Sequence, residues 1–205
     1  MTALATTDDL KARLGRDLTE VEQTRAAALL DDASAMIRAY TGQTFDLVEN
    51  DVIVLRIQGG VVRLPQRPVT EVSQVIALGG NLIPDVTVID WIFDGVDQIR
   101  IGEGTFIINL PAIWWDDDGY PGTYRVTYSH GYAQVPADVV ALTCGTVLRT
   151  LTAPTTAGGV TSETIGSYSY RLDGPDVGLA VTLSKDDRTA LARYRRTEAM
   201  IKVGR

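Results

Sequence analysis

Ala33-Ser34-Ala35-Met36-Ile37-Arg38-Ala39-Tyr40-Thr41-Gly42 is the stretch in which the chain changes its period. Up to it, Val21, Ala28, Leu29, Ala33, Met36, Ile37 and Tyr40 recur three and four residues apart, which gives a helix one apolar face and ends it at Gly42. Thr19 precedes Glu22 by the spacing of a capping box and opens that helix. A shorter helix stands before it: Thr7 as N-cap, Asp8 and Asp9 in the first turn, Lys11 and Arg13 late, Gly15 as the stop.

Beyond Gly42 the apolar residues alternate. From about Thr44 to Tyr128 the chain is rich in Val, Ile, Thr and Tyr and is broken by Gly59-Gly60, Pro65, Pro68, Gly79-Gly80-Asn81, Gly95, Gly102, Gly104 and Gly119. The pattern predicts strands over Val52–Ile57, Val61–Leu64, Val72–Leu78, Thr105–Leu110 and Tyr124–Tyr128, with others near Val86–Ile89 and Gln98–Ile101; Gly79-Gly80-Asn81 suits a hairpin tip.

Helical spacing returns after Gly131. Pro136 starts an apolar helix that runs to about Leu151 and is expected to be central and buried, with Leu142 and Leu148 in its core. A Gly, Thr and Ser-rich loop over Ala153–Ser162 leads to a strand or hairpin arm near Ile165–Leu172, and Ser184 caps a last helix carrying Leu191 and Tyr194 inward. The expected fold is α+β: a helical bundle lobe formed by both ends of the chain, residues 1–43 and 130–205, with an inserted β-strand-rich lobe over residues 44–129.

Nineteen basic against 26 acidic residues leave a net charge of −7, which argues against a surface built to grip nucleic acid through its phosphates. Cys144 lies in an apolar run and reads as a small buried hydrophobe. The N-terminal residues have no basic region ahead of an apolar one, and no apolar stretch approaches the roughly 20 residues that span a bilayer. Cytoplasmic synthesis and retention are the expectation.

Candidate chemistry is sparse. A single histidine excludes the usual His-rich metal sites. His130 follows Ser129 and reads either as a general base beside a hydroxyl or, with more weight, as a hydrogen-bonded turn residue. Asp116-Asp117-Asp118-Gly119 lacks the alternate acidic positions of an EF-hand loop and reads as a solvated loop. Trp114 and Trp115 beside it are candidates for a contact with another subunit or between lobes, since aromatic residues are enriched at protein interfaces. Gly102-Glu103-Gly104 lacks the third glycine and following helix of a dinucleotide site. The C-terminal segment is basic although the chain is acidic, so Arg193, Arg195 and Arg196 are candidates for docking on an acidic partner surface, against the plainer reading of a solvated helix end. No catalytic, cofactor-binding or metal-binding residue is assigned.

The order of three motif groups resembles the head-to-tail adaptor (connector) proteins of siphophages, the head completion protein family. Ala33 to Gly42 looks like the family's helix leading into its insert. Val126-Thr127-Tyr128-Ser129-His130-Gly131-Tyr132 with Val135-Pro136-Ala137-Asp138-Val139 looks like its strand, glycine-aromatic turn and proline-started helix. Residues 161–170 and Leu191-Ala192-Arg193-Tyr194-Arg195-Arg196 look like its late strand and closing basic helix. The β-rich middle matches only in position and character.

The resemblance implies a non-enzymatic virion protein of the neck region, assembled in the host cytoplasm without a cofactor. It implies a ring of copies, a dodecamer, that joins the portal to stopper or tail components and lets genomic DNA pass without sequence-specific binding. Another structural virion role, such as capsid decoration or tail termination, is the alternative, and a small hydrolase using Ser129 and His130 comes third.

Overall fold

The computed structural model describes residues 2–79, 84–102, 122–152, 162–165, 168–171 and 181–195. Its dominant element is a curled seven-stranded sheet, and this overturns the expectation of a helical bundle with strands inserted into it. Only the loose description α+β survives. The reason is strand length and pairing: β1 (Val48–Gln58) and β3 (Val69–Ala77) both lie antiparallel to β7 (Thr123–His130) along most of its length, so the middle of the chain builds its own core.

Gly59 and Gly60 stand at φ 58° and 72° and close a two-residue hairpin between β1 and β2 (Val61–Arg63). Both central positions of that turn need positive φ, which glycine adopts without steric cost. The short strands β4 (Val86–Thr87), β5 (Trp91–Phe93) and β6 (Gln98–Ile101) complete the sheet in the order β4-β3-β7-β1-β2-β6-β5. Every pairing within it is antiparallel.

Alternation places Tyr124, Val126 and Tyr128 of β7 on the inner face, where they are fully buried with Val75, Val62 and Ile99. Asn50, at φ 53°, lies where the register of β1 against β7 shifts between Val48 and Asp51, as at a bulge. Two expectations for this region, the strand over Thr105–Leu110 and the hairpin tip at Gly79-Gly80-Asn81, fall wholly or largely outside the described residues.

The chain divides into two compact units, one gathering Met1–Thr41 and Val135–Thr197, the other built on Gly42–Gln134. The first holds α1 (Thr7–Leu14), α2 (Glu20–Thr41), α3 (Ala137–Leu151) and α4 (Lys185–Leu191), the last continued by a 3-10 turn, Ala192–Tyr194. Thr6, one residue earlier than expected, caps α1 in a reciprocal box with Asp9, and Gly15 ends it at φ 72°. Thr19 and Glu22 bond reciprocally at the start of α2, and Ser184 with Asp187 does the same for α4.

α2 buries Ala26, Leu29, Leu30, Ala33, Ser34 and Ile37, a face rotated from the expected one; Val21 is 80 % exposed. α3 is not buried all round either. Val139, Thr143, Cys144, Thr146, Val147, Thr150 and Leu151 form its inner face, while Leu142 and Leu148 are only half-buried. Its buried threonines return their hydroxyl protons to carbonyls one turn earlier, Thr143 to Val139 and Thr146 to Leu142, so an apolar core tolerates them. β8 (Ser162–Ile165) and β9 (Tyr168–Arg171) pair as a separate antiparallel hairpin.

Candidate functional site

His130 ends β7 and is 2 % exposed. Its Nε2 lies 3.3 Å from Asp51 Oδ2 on β1, and its ring stacks on Tyr128 at 4.9 Å between centroids. Ser129 and His130 are successive residues of one strand, so their side chains leave on opposite faces. Ser129 Oγ instead accepts a hydrogen bond from the Asn50 N–H at 3.2 Å. This is the geometry of a strand-end fastening, not of a nucleophile beside its base. Burial pushes the Tyr128 hydroxyl up to about 12, and the charge of Asp51 adds to the shift, so Tyr128 keeps its proton at neutral pH.

Gly131 follows at φ 93°, and a Cβ there would come within 2.0 Å of the Asp46 carbonyl oxygen. The glycine-aromatic turn is thus fixed by backbone contact with the segment entering β1. Phe45 and Tyr132 stack across the same place at 6.3 Å, and Asp46 bridges to Tyr132.

Cys144 is fully buried on α3, and burial pushes its thiol up, away from the reactive thiolate. Among the described residues there is no cluster of three or more His, Cys, Asp or Glu side chains able to hold a metal ion, and no helix long and apolar enough to cross a membrane.

The basic C-terminal segment is partly engaged. Arg193 pairs with Asp138 in the first turn of α3, lies over the Tyr194 ring at 4.8 Å and donates to Tyr194 Oη at 2.9 Å. Its side chain stays 64 % exposed. Arg195 stacks over Tyr40 of α2 at 5.0 Å, and Tyr40 donates to the Arg188 carbonyl at 3.2 Å. Nearby, Arg149 of α3 bonds Asp187, which completes the capping box with the N-cap Ser184 of α4. These bonds hold the last described turn on the helical unit, while Arg193 and Arg195 both remain exposed residues. Arg196, Trp114, Trp115 and the Asp116–Asp118 cluster lie outside the described residues.

A second surface is one that sequence reasoning missed. Ile53, Leu55 and Ile57 turn inward on β1, so Val52, Val54 and Arg56 face outward; Val52 and Val54 are 57 % and 52 % exposed. Arg63 of β2 and Arg100 of β6 share that outer face, as does Ile92 of β5, which is opposite Arg100. The signal was present in Val52-Ile53-Val54-Leu55, where apolar residues occupy both alternations and mark a strand with two apolar faces. What was not visible is that Ile57 pairs with Val62, which brings Arg56 and Arg63 level on neighbouring strands.

No protein-family model matches the chain, and no curated protein matches it either.

Proposed function

We propose that this chain is a structural virion protein, a head-to-tail adaptor subunit that works as one copy in a ring beneath a portal. The observation that carries the reading is where the three motif groups fall. Ala33 to Gly42 closes α2, Val126 to Val139 passes from β7 through the Gly131 turn into α3, and Leu191 to Arg195 forms the end of α4 with its basic turn. These are the segments at which the chain leaves the helical unit, re-enters it and nears its end.

The exposed basic residues Arg193 and Arg195 give this unit a place to meet carboxylates of a portal or of a neighbouring copy. Such a contact weakens as salt rises, because exposed charges are screened within about 8–10 Å. Co-sedimentation with the portal tests this. Arg193→Gln together with Arg195→Gln keeps much of the local packing and removes both charges, and it is expected to reduce portal binding at low salt. Unchanged binding by a folded double variant contradicts the role given to this segment.

A further inference from the structure

Arg56, Arg63 and Arg100 are exposed on one face of adjoining strands β1, β2 and β6. Arg56 and Arg63 stand one position beyond the Ile57–Val62 pair, and Arg100 is opposite Val61, so the guanidinium groups share a small area. Like charges directly across a sheet are destabilising. Among the described residues none of the three has an ion pair, although the unit carries many more acidic than basic side chains. Arg125 on β7, by contrast, is neutralised by Asp85 at 3.1 Å.

The same face exposes Val52, Val54 and Ile92. Arginine interleaved with open apolar side chains is the composition of a protein interface, whereas a phosphate-binding surface is more uniformly polar and basic. Arg100 stands near enough to Asp94 for its charge to help hold that carboxyl below its usual range, whereas a counter-charge for Arg56 and Arg63 is found on α2. On the exposed side of α2, Asp31 and Asp32 form no ion pair among the described residues, and Ala27, Ala28, Ala35 and Ala39 around them are small enough to let a sheet approach closely. Arg25, nearly two turns before Asp32, and the half-buried Arg38, nearly two turns after Asp31 and bonded to the Thr2 carbonyl, bracket the aspartates on the same side. Both surfaces are exposed in the single chain.

We propose that the outer sheet face around Arg56, Arg63 and Arg100 docks the Asp31–Asp32 face of α2 from a second copy. The two surfaces differ, so the contact is heterologous and repeats from copy to copy, which closes a ring when the rotation allows. This deepens the ring reading given above and rests on it for its setting, but it concerns self-association alone.

The test is a charge swap read by sedimentation velocity at low salt, with circular dichroism to confirm folding. Arg56→Glu with Arg63→Glu sets Glu against Asp, and Asp31→Arg with Asp32→Arg sets Arg against Arg. Each variant alone is expected to associate at least about tenfold more weakly than the wild type. An equimolar mixture restores association, because one contact is then wild type and the other is reversed on both sides. Wild-type protein that stays monomeric at high concentration, variants that associate normally, or a folded mixture that stays apart each overturn the proposal. So does loss of DNA retention by Arg56→Glu with Arg63→Glu while self-association is unchanged. Association that follows this pattern without any portal binding supports the docking surface and removes the adaptor reading.

Discussion

Tyr194 Oη lies 2.9 Å from Asp138 Oδ1, so the turn after α4 is fastened to the first turn of α3. Tyr194→Phe keeps the ring and removes the bond. It is expected to cost about 0.5–1.5 kcal/mol in urea unfolding, toward the low end because the ring is only half-buried. An unchanged midpoint shows that the turn is held by the Arg193 and Arg195 contacts instead.

How far the sequence carried is visible at particular residues. Helix ends were legible because caps are local: Thr19 with Glu22, Ser184 with Asp187, and Gly42 at φ 70° are each read within four residues. The buried face of α2 was less so, since Val21 fits the apolar spacing yet sits in the first turn beyond the reach of the core. β5 is three residues long and too short to show a period, and β1 begins early because the bulge at Asn50 lets Glu49-Asn50-Asp51 join the strand. The sheet order, and with it the weight of strands over helices, depends on pairings between distant segments that no local pattern contains. The arginine cluster was invisible for the same reason, since three strands must be in register before Arg56, Arg63 and Arg100 meet.

Packing on α2 gives the second prediction. Ile37 is fully buried and Val21 is 80 % exposed, so Ile37→Ala should cost roughly 2–5 kcal/mol, while Val21→Ala should stay within about 0.5 kcal/mol. Chemical denaturation of the two variants checks this, and equal losses would mean that Val21 is covered in the folded protein.

The glycine at the β7 exit is more constrained than the one ending α1. Gly15 has open space where a Cβ would stand, so Gly15→Ala should cost about 1–2 kcal/mol for its left-handed backbone alone. Gly131→Ala adds a clash with the backbone of Asp46 and should cost more than Gly15→Ala, with thermal unfolding as the readout. The reverse ranking contradicts the close approach of the two segments.

Part of the acid sensitivity should come from the helix caps. Hydrogen bonds from Arg16 and then from the Thr19 backbone hold Glu22 at about 2, against 4.5 unfolded, and bonds from the Thr6 side chain and backbone lower Asp9. Both folded values lie below the unfolded ones. Their contribution is therefore complete above about pH 4.5 and is lost as the pH falls toward about 2. A circular-dichroism titration of unfolding should show that loss, and Glu22→Gln should flatten part of it; a profile identical to wild type rejects the assignment.

Imaging the purified protein with its portal shows whether it is a ring subunit that sits beneath the portal. The expected images show rings of the protein stacked coaxially on the portal, with the basic end of α4 toward it, and these rings are expected to dissociate from the portal at high salt. Particles in which the protein decorates capsid faces, or remains monomeric beside unoccupied portals at saturating concentration, would contradict that role.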